Sequence, residues 1–129
     1  MLTRRAIMNL FVTLAAVPAA DAAGAAASRI AVAAEGPTAQ AAVSAVAARA
    51  PHVLIFDAEG RLLAAHPNPV AANRGGAGPA MARWLADRQV TLLVAGNVGD
   101  KMAAELQRLK IRSVTASGPA DRAVREATK

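Results

Sequence analysis

The sequence predicts one α/β domain built on a mixed five-stranded sheet, and three observations lead there. Short apolar windows bounded by Gly, Pro and Asn recur at Arg29 to Ala34, His52 to Asp57, Arg61 to His66, Thr91 to Ala95 and Ile111 to Thr115, each of strand length. Only Ala58-Glu59-Gly60 separates the second window from the third, which makes them a hairpin. Helix-patterned segments precede the last two windows, so the hairpin is followed by two βα crossovers and the sheet is mixed.

Taken in order, residues 1–28 read as a leader and linker rather than as part of the domain. Arg4-Arg5 supplies a basic start, an apolar stretch runs to Val17, and Ala20-Asp21-Ala22 offers a small-x-small cleavage site; these are the three parts of a signal peptide. The paired arginines after Thr3, with Ile7 and Met8 behind them, resemble a twin-arginine signal, which exports folded proteins. An ordinary Sec signal and an uncleaved anchor are the alternatives. The apolar stretch is too short and alanine-rich for a membrane span, and the mature protein is expected to have none. Its location would be periplasmic or otherwise exported, with the domain over residues 29–129.

The first strand, Arg29 to Ala34, is stopped by Glu35-Gly36-Pro37. Gln40 to Arg49 is almost all Ala, Val and Ser, with too few large side chains to anchor a helix, and reads as a loop with a helical turn. After the hairpin, Pro67 and Pro69 end the second arm because neither can donate to a ladder. Residues 67–77 form a loop long enough to suggest a functional role. Gly78-Pro79 opens a helix in which Met81, Trp84 and Leu85 make a sheet-facing stripe. The unbroken run Thr91 to Ala95 suits a parallel strand covered on both faces. Asp100 is placed to cap the next helix, where Met102, Leu106 and Leu109 share a face. Ser117-Gly118-Pro119 starts the last helix, with Ala120, Val124 and Ala127 aligned.

Composition narrows the function. Of the 129 residues 36 are alanine, so the 54% hydrophobic content corresponds to a modest core. Cysteine is absent, which excludes disulfides and any thiolate-held zinc or iron-sulfur site within the chain. A metal would have to bind through His, carboxylate or Met, or arrive inside a preassembled cluster. The formal charge of +6 favours anionic partners. Nucleic acid is not among them, since Phe11, Phe56 and Trp84 are the only aromatic residues and a single-strand platform needs several exposed rings.

Two glycine-bearing turns carry the functional signal. Gly75-Gly76-Ala77-Gly78 opens a helix and Gly96-Asn97-Val98-Gly99 follows a parallel strand, the place where open α/β sheets take ligands. Residues without Cβ let a backbone approach a ligand closely. If both turns share one rim, their amides and the helix starts beyond them present donors to an anion, with Asn97 adding a polar group and Arg74 and Lys101 adding charge. The first turn fits neither a dinucleotide fingerprint, since Met81 stands at its third glycine position, nor a phosphate loop. His52 and His66 lie on different arms of the hairpin with no third ligand at metal spacing, and read as strand-end or solvent-facing side chains. Asp57, Glu59, Asp87 and Asp100 form no catalytic pair, and no Ser, His and Asp arrangement stands out.

From Arg29 to about Ala127 the chain resembles the dinitrogenase iron-molybdenum cofactor biosynthesis family, the NifX-like proteins, which include the C-terminal part of NifB and the orange protein. The matching residues are Ile30-Ala31-Val32, Arg49-Ala50-Pro51, Leu54-Ile55-Phe56-Asp57, Asn68-Pro69, Gly75-Gly76-Ala77-Gly78-Pro79 and Ala95-Gly96-Asn97-Val98-Gly99. The resemblance implies a ribonuclease H-like three-layer fold with helices on both faces. It further implies a non-enzymatic carrier or store for an anionic molybdenum- or iron-containing sulfide cluster, held without covalent attachment and delivered with a partner protein. Gly75, Gly76, Gly78, Gly96 and Gly99 would offer amides, and Arg49, Arg74 and Lys101 the charge. Two departures stand out: Val46-Ala47-Ala48 occupies the place of a His-Phe-Gly, and Asp100 that of a proline. The alternative is an exported module that keeps the fold without a cluster and binds a protein or small anion.

Overall fold

The computed structural model describes residues 28–129; the expected signal peptide lies outside the described residues. Strands β1 (Arg29–Ala34), β2 (His52–Phe56), β3 (Leu62–Pro67), β4 (Val90–Ala95) and β5 (Arg112–Thr115) form one sheet in the order β3-β2-β1-β4-β5. β1 is its centre, antiparallel to β2 with Ala31 opposite Ile55 and parallel to β4 with Ala31 beside Leu93. Antiparallel β3 extends one side and parallel β5 the other. The hairpin and the two crossovers thus fall where the apolar windows placed them, with boundaries shifted by a residue or so.

Helices α1 (Ala77–Ala86) and α2 (Asp100–Arg108) cover one face, and α3 (Ala120–Ala127) covers the other. The period-2 alternation of a strand sorts the side chains. Ala31, Ala33, Val53, Ile55 and Leu93 point toward α1 and α2, whereas Ile30, Val32, Leu54, Phe56 and Val94 point toward α3. Alanine supplies little volume on the first face, so Met81 and Leu85 of α1 and Met102 and Leu106 of α2, all buried, fill that layer from the helix side. β4 is buried along nearly its whole length, as its unbroken apolar run requires.

The alanine-rich stretch 38–50 is a loop ending in a 3-10 turn at Ala47–Arg49. It packs past the carboxyl end of the central strand through single bridge contacts, Val43 with Ala34 and Ala42 with Pro119. Two expectations need correction. Asp100 does not cap α2: it is the first helical residue, Gly99 occupies the cap position, and no side chain bonds there. Pro67 does not lie beyond its strand but closes it, paired with His52, which the sheet tolerates because β3 is an edge.

Candidate functional site

The two glycine turns meet. A cleft of about 400 Å³ lies at the carboxyl end of β4, walled on one side by Arg74 to Pro79 and on the other by Asn97 and Gly99 to Met102. The chain places them together because α1 and α2 are neighbours on one face, running from the same rim. Gly78 makes that neighbourhood possible: a Cβ there would sit 2.7 Å from the Met102 Cβ, so only glycine lets the helices approach this closely.

Both helices begin without a side-chain cap. Gly76 stands at the cap of α1 with φ 71°, Gly99 at the cap of α2, and neither receives a side-chain bond. Among the described residues, no carbonyl or side chain accepts from the backbone N–H groups of Gly75, Gly76 and Ala77, nor from those of Gly99, Asp100 and Lys101. Amides at a helix start have no intrahelical partner, and here the residues of two such starts line one concavity. A Cβ at Gly75, Gly76 or Gly99 would meet nothing within 4 Å, which leaves the space in front of these residues open to a ligand.

Charge is added unevenly. Arg74 and Lys101 line the cleft, are exposed, and make no ion pair among the described residues. Arg49 lines it too, but its Nη1 donates to the carbonyls of Ala71 (2.9 Å) and Asn73 (2.7 Å), so it chiefly holds the loop that carries Arg74. Asn97 faces the cleft while its carbonyl accepts from the Ala47 N–H at 2.9 Å. Gly96 departs from expectation. Its N–H donates to the Ser44 carbonyl at 2.8 Å and a Cβ would lie 2.7 Å from the Ala45 Cα, so this glycine seats the 38–50 loop on the sheet and stands outside the cleft lining.

Several groups were not visible from sequence. The Asn68 amide donates to the carbonyls of Ala48 (3.1 Å) and Ala50 (2.7 Å) and accepts from the Val70 N–H at 2.9 Å, tying the long loop to the 3-10 turn; the Asn-Pro dipeptide was its one signal. Val46, Ala48 and Met102 give the cleft an apolar side; nothing in the alanine-rich stretch marks Val46 and Ala48 as cleft residues, and Met102 was legible only as a core residue of its helix. Glu105 of α2 pairs with Arg83 of α1 and with Arg108 of its own helix, tying the C-terminal halves of the two helices together. The Arg108 guanidinium bonded to it, with Arg83 nearby, holds its carboxyl below the usual range.

The two histidines do not converge. His66 pairs with Val53 and sets its ring edge-on to Trp84 at 5.2 Å, on the α1 face, and His52 is one step along β2 on the opposite side. Among the described residues no group of three or more His, Cys, Asp or Glu side chains could hold a metal ion. What the cleft offers is amides, two free cations and an apolar wall. Those donors suit an anion that brings its own inner coordination sphere.

Comparisons with known proteins identify the family and the fold. A profile of the family described as dinitrogenase iron-molybdenum cofactor matches residues 28–129. Among solved structures, the apo form of the orange protein from Desulfovibrio gigas is similar with a TM-score of 0.72 and 29% identity, over 77% of this chain and 85% of that one. A Thermotoga protein described as NifB-like, solved by NMR, is similar with a TM-score of 0.66 and 26% identity, over 78% and 87% of the two chains. A comparison with curated proteins found no match. The match across the full described span shows that the chain belongs to the dinitrogenase iron-molybdenum cofactor family, a family concerned with binding that cofactor or building it.

Proposed function

We infer that this protein is a non-catalytic carrier or store for an anionic metal-sulfur cluster, held in the cleft between the starts of α1 and α2. One observation carries the reading: two uncapped helix starts, with the free cations Arg74 and Lys101, open onto the same concavity. Unpaired backbone donors and guanidinium or ammonium groups hold sulfide or oxide ligands from outside, so the protein needs no thiolate of its own. The cluster is cargo, exchanged with a partner protein in cofactor delivery. Export, supported by the sequence of residues 1–28, fits cargo loaded before a folded protein crosses the membrane.

A second reading has one observation in its favour. Val46-Ala47-Ala48 puts no ligand donor at the cleft edge, as suits a module that binds a small anion or a protein without a cluster. Incubating the full chain with tetrathiomolybdate, desalting it, and measuring visible absorption and molybdenum content separates the two. Retained colour and molybdenum, with affinity reduced about tenfold or more in Arg74→Ala/Lys101→Ala, is the expected result. A colourless, molybdenum-free protein contradicts the carrier reading.

A further inference from the structure

The rim of the sheet opposite the cleft has a character of its own. Register places Leu62, Phe56, Ile30, Leu92 and Arg112 side by side from β3 to β5, and at about 4.8 Å per strand the row spans roughly 19 Å. Ile30 and Leu92 floor a hollow of about 600 Å³ whose lining carries Lys110, Arg112 and Lys129 and no carboxylate. Lys110 and Arg112 are exposed and make no ion pair among the described residues, while Lys129 pairs with Glu126 at 3.6 Å. At the β3 end of the row, Leu62 and Leu63 are 38% and 50% exposed. Ser28, where the expected signal peptide joins the domain, lines the same hollow.

We propose that this rim is a peripheral docking surface for an anionic lipid bilayer. Lys110, Arg112 and Lys129 meet the headgroup phosphates, Leu62 and Leu63 enter the interface beside them, and the cleft at the other ends of the strands faces away from the membrane. Among the described residues no helix is long and apolar enough to cross a bilayer, so the contact is with its surface. Long cations flanked by exposed leucines supply the paired electrostatic and apolar attractions of interfacial binding. A protein partner would call for aromatic anchors and a fitted shape, whereas this hollow is open and its lining holds no aromatic side chain. The junction at Ser28 also turns this rim, rather than the cleft, toward a membrane that the leader would engage.

Sedimentation of the full chain with phosphatidylcholine vesicles, with and without phosphatidylglycerol, tests this at fixed ionic strength. Wild type is expected to bind the anionic vesicles and to lose about tenfold or more of that affinity in Lys110→Gln/Arg112→Gln, since a cation beside an anionic leaflet is worth roughly fivefold. Arg74→Gln/Lys101→Gln removes the same charge at the opposite rim, beyond the screening distance, and is expected to change vesicle binding by less than about threefold. Leu62→Ser/Leu63→Ser keeps every cation and is expected to weaken binding about fivefold. Equal losses in the two charge-matched pairs, no loss in Lys110→Gln/Arg112→Gln or in Leu62→Ser/Leu63→Ser, or equal binding to neutral vesicles overturns the inference, because an apolar leader or net charge alone would act alike on all variants. A wild type that ignores anionic vesicles, as a surface built for an acidic protein would, overturns it too. None of these outcomes bears on the anion cleft, which tetrathiomolybdate binding tests separately.

Discussion

Gly96 and Gly75 look alike in the sequence and differ in the fold. A Cβ on Gly96 would press on the backbone of Ala45 at 2.7 Å, while one on Gly75 would meet nothing within 4 Å. Gly96→Ala is therefore expected to lower stability by about 1–3 kcal/mol, since backbone cannot step aside as a flexible side chain can. Gly75→Ala is expected to stay within about 0.5 kcal/mol of wild type while crowding the open space before the cleft. Chemical denaturation of the two variants checks the contrast, and equal effects would remove the distinction between a seating glycine and a cleft glycine. At this scale the sequence was only partly legible. It singled out Arg74, Lys101, Asn97 and the glycines, but it could not show that Gly96 spends its amide on Ser44 or that the Arg49 guanidinium clamps the Ala71 and Asn73 carbonyls. Those outcomes depend on where the 38–50 loop crosses the sheet, and alanine carries no side-chain pattern from which such a path can be read.

Helices α1 and α2 determine whether the cleft exists, because their starts are its two walls. Away from the cleft, Glu105 of α2 ties the two helices through Arg83 of α1, and the bonded Arg108 guanidinium of its own helix lowers its folded-state pKa. A depressed carboxylate contributes stability that is present above its unfolded pKa and lost as pH falls through the folded one. Glu105→Gln is accordingly expected to melt lower than wild type at neutral pH and to lose less on acidification between about pH 5 and pH 3. Thermal melts across that range check it; parallel pH profiles would mean that the clamp carries no stability. The elements themselves were largely legible. The short apolar windows found every strand, and the stripe of Met81, Trp84 and Leu85 found α1, because burial imposes apolar runs and helical spacing directly on the sequence. Helix caps were less so: Asp100 is a favoured capping residue by type, yet the turn closes one residue earlier at Gly99. A cap is a matter of single backbone angles rather than of pattern.

On the scale of the whole molecule, the two core layers are assembled from residues between Ile30 and Val124. A chain beginning at Ser28 is expected to unfold in one cooperative transition and to bind the same anion, as seen by calorimetry and titration; a molten, noncooperative profile would show that the leader belongs to the fold. The formal charge of +6 adds a long-range attraction that salt screens, whereas the proposed resting place of the anion is at the cleft amides. The most direct test is an amide-resolved NMR titration of the protein with tetrathiomolybdate. Saturable shifts concentrated at Gly75, Gly76, Ala77, Gly99, Asp100 and Lys101, with Gly96 largely unmoved, are the predicted result. Shifts scattered over the basic surface, or none at these amides at concentrations where the anion binds, would contradict the account.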